Sequence, residues 1–118
     1  MVLQRSYYVP SNGLVGWWPF NGNANDESGN NNNGGVYGAG LTNDRNDFPN
    51  SAYVFNGSSD YIQCLNAGPS GNPTITLSFW IKTNQSNYAS IFSYGDDAGS
   101  GHSLRVGLNG GYNNKRIS

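Results

Sequence analysis

Charge is scarce in this chain. Asp, Glu, Lys and Arg make up only 11% of its 118 residues, and six basic residues against seven acidic ones leave a net charge of -1. No basic cluster is longer than Lys115-Arg116, so the electrostatic footprint of a polyanion partner is missing and nucleic acid is not an expected ligand. Long apolar runs are missing too. Nothing approaches the ~20 residues of a membrane helix, and no membrane span is expected. The opening Met1-Val2-Leu3-Gln4-Arg5 lacks the apolar stretch of a signal peptide, which implies either a secretion signal already removed or a piece of a longer protein. Cysteine is limited to Cys64, so no internal disulfide forms. Placed two residues from Ile62 in Tyr61-Ile62-Gln63-Cys64-Leu65, it reads as a small buried strand residue and not as a reactive thiol.

Carboxylates are equally few. Most glycosidases place two of them across the scissile bond, whereas here Glu27 is the single glutamate and the six aspartates fall mostly in turns. No acid pair stands on one strand face, and the Glu-x-Asp-x-x-Glu spacing of some sandwich glucanases is missing, so no enzyme is expected. His102 is the only histidine, in Gly99-Ser100-Gly101-His102-Ser103. Nothing there marks a nucleophile elbow, and it reads as a turn or strand-start residue.

What the chain does hold is amide, glycine and aromatic side chains: nineteen Asn, 17 Gly and 14% aromatics. Disordered chains are poor in aromatics and high in net charge, so this composition describes a folded, loop-rich chain. Its length suits one domain. Residues 1–12 read as an irregular leader ending in the turn cluster Pro10-Ser11-Asn12-Gly13, and residues 13–118 as the domain.

Leu14-Val15-Gly16-Trp17-Trp18-Pro19-Phe20 is apolar on both alternating faces, as in a strand covered on both sides, with Pro19 confining that end to an edge or bend. Asn21 to Gly35 is almost entirely Asn, Gly, Asp, Ser and Ala, which predicts a long ordered loop. Short apolar runs follow at Val36-Tyr37, Ala52 to Phe55, Tyr61 to Leu65, Ile75 to Ile81, Ser90 to Tyr94 and Ser103 to Leu108. Ile75, Leu77, Phe79 and Ile81 alternate with Thr76, Ser78, Trp80 and Lys82, which predicts a strand with one core face. No segment has helical spacing. The class is therefore all-β, and short strands between Gly/Asn turns without a fixed repeat favour a sandwich over a propeller or solenoid.

Two groups of residues are candidates for binding. Asp26-Glu27-Ser28-Gly29-Asn30 gathers the hard oxygen donors that Ca²⁺ takes, with Asp26, Ser28 and Asn30 as ligands. A loop tied by its own Asx-turn hydrogen bonds is the other reading. Asp44-Arg45-Asn46-Asp47 and Asp96-Asp97 are weaker candidates that read as solvated loop charge. Trp80, Tyr61, Tyr88, Tyr94 and Tyr112 are on a polar strand face or near turns, where an aromatic ring can meet the apolar face of a sugar. Trp80, Tyr88 and Tyr94 are taken as the ligand-binding set.

The blocks Gly13 to Asn30, Ser51 to Ile62 and Ile75 to Lys82 together resemble the laminin-G-like, concanavalin A-like jelly-roll domains of bacterial surface and secreted proteins, over about Gly13 to Leu108. The resemblance implies a two-sheet antiparallel sandwich that is extracellular and non-catalytic, and that binds glycan or protein, often beside a structural Ca²⁺ held at Asp26. In the family an acid usually stands where this chain has Asn56, and Trp80 matches an architectural aromatic. The Trp-His block and Tyr-x-Asp-Gly hairpin with which family members continue do not occur before Ser118. The chain thus reads as the first two-thirds of the fold, with open edges expected to pair with a second copy or another polypeptide. A fibre, tail or adhesin component acting through such edges is the alternative function.

Overall fold

A computed structural model describes residues 8–65, 68–69, 74–95 and 103–108. Among these the chain is all-β, with strands β1 (Gly34–Tyr37), β2 (Gly40–Thr42), β3 (Ala52–Val54), β4 (Tyr61–Cys64), β5 (Ala89–Gly95) and β6 (Ser103–Leu108), and no helix. The strands form three two-stranded antiparallel sheets, β1 with β4, β2 with β3 and β5 with β6. The chain divides into two compact units, Met1–Ala67 with the first four strands and Gly68–Ser118 with the last two.

In the first unit the pairings are nested. The β2–β3 hairpin lies within the connection between β1 and β4, which pair Val36 with Ile62 and Tyr37 with Tyr61. Asp44 holds the hairpin loop, its Oδ1 accepting the N–H groups of Asn46 (2.9 Å) and Phe48 (3.1 Å), as Asx turns do. Gly38 separates β1 from β2 at φ 79°, a left-handed conformation that glycine adopts without steric cost. Any Cβ there would also run into the Asp60 carboxylate. Asn56 organises the turn before β4: its Oδ1 accepts the N–H groups of Ser58 (2.8 Å), Ser59 (2.9 Å) and Asp60 (3.2 Å), while its own N–H reaches Asp60 Oδ2 at 2.8 Å. An amide side chain thus organises this turn.

The interior of this unit is small. Ala24 is 3% exposed and is the buried apolar residue among those described, joined by Asp26 at 8%. Gly34 closes against Ala24, its N–H donating to the Ala24 carbonyl at 2.8 Å. A Cβ on Gly34 would lie 2.7 Å from Ile62 Cγ2 and 3.1 Å from the Ala24 Cβ. Phe20 meets Tyr53 edge to face, with ring centroids 5.1 Å apart.

Two expected strands are not formed. Leu14 to Phe20 carries no ladder, because its polar backbone groups bond to loop side chains and to the Glu27 N–H instead of to a neighbouring strand. Phe20, at φ 57°, ends the run. Ile75 to Ile81 is likewise without a ladder, and Ile75, Leu77, Phe79 and Ile81 are exposed, not a core face. Alternation decides which side each residue takes but does not supply a second strand, and no described strand pairs with this segment. In contrast, β2 forms around a single apolar residue, Leu41, which no apolar run signals. The β5–β6 ribbon follows the expected pattern, with a register shift between Ser90 and Phe92 that leaves Ile91 as an extra residue.

The contacts at Gly34 generate a prediction. Gly34→Ala overpacks the Ala24–Ile62 contact and should lower stability in a denaturant titration by about 1–3 kcal/mol. Gly40→Ala, whose Cβ would meet only Val54 Cγ1 at 3.7 Å, should change it by less than about 1 kcal/mol in either direction.

Candidate functional site

Three backbone N–H groups and one hydroxyl converge on the carboxylate of Asp26, in the Asn21 to Gly35 loop. Asp26 Oδ1 accepts the N–H groups of Trp17 (2.9 Å) and Ser28 (2.9 Å), and Oδ2 accepts the Ser28 hydroxyl (2.9 Å) and the Asn32 N–H (3.0 Å). The Asp26 N–H in turn donates to Asn33 Oδ1 at 2.9 Å. Asn30 Nδ2 donates to the carbonyls of Leu14 and Val15, both at 3.0 Å, and Asn32 Nδ2 to that of Val15 at 3.1 Å. Glu27 N–H reaches the Trp17 carbonyl at 2.7 Å, and the Trp18 indole N–H reaches the Asn32 carbonyl at 2.9 Å. The apolar run from Leu14 is thus laced to the polar loop through side chains. That arrangement gives the Trp17 N–H and the Leu14, Val15 and Trp17 carbonyls partners without a sheet.

Burial pushes the Asp26 carboxyl up, but the hydrogen bonds from Trp17, Ser28 and Asn32 outweigh it and hold the group below its ordinary value. Cys64, half-buried on β4, is pushed up by burial first and by the Asp26 charge second. Its thiol is therefore less ionised than that of an exposed cysteine.

The expected metal ligands are brought together, but as partners of one another. A carboxylate offers about four lone-pair sites, and all four of Asp26 are taken by hydrogen donors. Ser28 Oγ donates to Asp26 while accepting from Asn30 N (3.2 Å) and Nδ2 (3.1 Å). Ca²⁺ requires converging oxygen lone pairs, so the folded knot does not fit a cation at this carboxylate. Among the described residues no group of three or more His, Cys, Asp and Glu side chains is placed to hold a metal. Spacing within the loop identified Asp26, Ser28 and Asn30, but not Asn32, Asn33 or the Trp17 N–H nine residues away.

The aromatic set separates by environment. Trp80 is 81% exposed and Tyr88 71%. Tyr94 is half-buried on β5, packed over Gly68, with its hydroxyl donating to the Pro69 carbonyl. His102, Asp96-Asp97 and Tyr112 lie outside the described residues.

The Asp26 knot has a pH signature. Because the folded carboxyl is held below its unfolded value of about 3.9, its contribution to stability is complete above that value and is lost as pH falls through the folded one. Asp26→Asn removes that acid-sensitive component in denaturation curves recorded down the pH scale. It turns an amide toward donors that need an acceptor, and should cost about 1–3 kcal/mol at neutral pH.

No protein-family model, curated protein or solved structure matches the chain.

Proposed function

We propose that the chain is a non-catalytic binding module of an extracellular or cell-surface protein, built as a laminin-G-like jelly-roll sandwich, that binds carbohydrate through exposed aromatic rings. The observation that carries this reading is the exposure of Trp80 and Tyr88 in a chain so poor in charge. An aromatic ring in water offers apolar area to the C–H face of a sugar while its polar edge stays hydrated, and a surface poor in charge suits a neutral ligand. Three of the seven carboxylates support the non-catalytic part of the reading, since Asp26, Asp44 and Asp60 each accept backbone N–H groups of their own loops.

Titration calorimetry against a panel of neutral oligosaccharides, in calcium and in chelator, tests it. Binding of at least one sugar, equal in both conditions and weakened about fivefold or more by Trp80→Ala, is the expected result. Silence across the panel removes the carbohydrate reading.

A second reading, an assembly element of a fibre, tail or adhesin, is favoured by the exposed stripe Ile75, Leu77, Phe79 and Ile81. An extended apolar segment of this kind adds to a strand edge, in a second copy or in another chain. Sedimentation over a wide concentration range should then show mass rising with concentration, and Leu77→Lys should abolish the rise. A constant monomer mass excludes self-association.

A further inference from the structure

We propose that the Asn12-Gly13 step is a covalent modification site, where spontaneous deamidation by water takes place in the folded chain while three other Asn-Gly steps are withheld from it. The reaction needs two neighbouring groups to meet. The glycine backbone nitrogen attacks the carbonyl carbon of the Asn side chain, an N–C bond forms, the proton leaves the attacking nitrogen, and the side-chain nitrogen departs as ammonia. Water then opens the five-membered imide at one or the other carbonyl, leaving an aspartyl or isoaspartyl residue. No oxidant or reductant takes part. Glycine favours the attack because no Cβ crowds its nitrogen.

Four such steps lie among the described residues: Asn12-Gly13, Asn21-Gly22, Asn33-Gly34 and Asn56-Gly57. Three of them are held. The Gly22 N–H donates to the Phe20 carbonyl at 3.0 Å and to the Asn50 carbonyl at 2.8 Å, which ties up the nucleophile. At Asn33 both groups are engaged, Oδ1 by the Asp26 N–H at 2.9 Å and the Gly34 N–H by the Ala24 carbonyl at 2.8 Å. The Asn56 carboxamide is clamped at both ends, with Oδ1 accepting from Ser58, Ser59 and Asp60 and Nδ2 donating to Ser59 Oγ at 3.0 Å. Its Cγ cannot swing on to the Gly57 nitrogen without breaking those bonds.

Asn12-Gly13 carries none of these restraints. Both residues are exposed, and among the described residues neither the Asn12 carboxamide nor the Gly13 N–H has a hydrogen-bond partner. Nothing lies within 4 Å of the place a Gly13 Cβ would take. The turn is closed by the Leu14 N–H donating to the Ser11 carbonyl at 3.3 Å, which is long for such a bond. A surface turn held so weakly opens at little cost, and opening brings nucleophile and carbonyl carbon together. Each event adds one carboxylate to a chain of net charge -1.

Peptide mapping by mass spectrometry of the full chain, aged at mildly alkaline pH in native buffer and in urea, tests the site. In native buffer Asn12 should convert about tenfold or more faster than Asn21, Asn33 and Asn56. In urea, where the restraining bonds are gone, the four rates should become similar. A native Asn12 rate no higher than those of the three held steps overturns the proposal. So does the same order of rates in urea as in native buffer, because the selection would then come from the local sequence and not from the fold.

Discussion

One buried carboxylate organises the first half of this protein. Asp26 gathers donors from Trp17, Ser28 and Asn32, and through them fixes a glycine- and asparagine-rich loop that has little apolar surface of its own. A buried charge is tolerated only when its lone pairs are satisfied. The same requirement that makes the group costly to bury makes the loop conformation specific, because few arrangements place four donors on one carboxylate. The Asn30 and Asn32 amides then extend the knot to the Leu14 and Val15 carbonyls. Ala24 and Gly34, at the loop's inner edge, bring it against β4.

A polar knot of this kind leaves the apolar and aromatic side chains with other work. In a larger core Trp, Tyr and Phe would be the packing material, but no large side chain is fully buried among the described residues. Many aromatics are therefore at the surface, Tyr37, Tyr61, Phe79, Trp80 and Tyr88 among them.

Local patterns in the sequence were a good guide to strands whose partners are local or whose side chains alternate. β3, β4, β5 and β6 fall on the runs Ala52 to Phe55, Tyr61 to Leu65, Ser90 to Tyr94 and Ser103 to Leu108. Alternation was a poor guide to pairing. Ile75 to Ile81 alternates best of all and forms no ladder, while β2 forms around Leu41 alone because β3 supplies its hydrogen bonds. The composition of the Asp26 loop was legible, but its chemistry was not, since the decisive donors are backbone N–H groups that every residue carries. The Tyr37–Tyr61 pair was hidden for a different reason: its register depends on how an intervening hairpin closes.

That hairpin has a further consequence. Bringing two strands together across a long connection costs chain entropy that grows with the length enclosed. The β2–β3 pair, lying inside the connection from Tyr37 to Tyr61, shortens the loop that the outer pair has still to close. Order in the outer ribbon, and with it the alignment of its two rings, thus depends on the hairpin enclosed within it, and sequence changes in the Thr42 to Ser51 connection would be felt in strands they do not form.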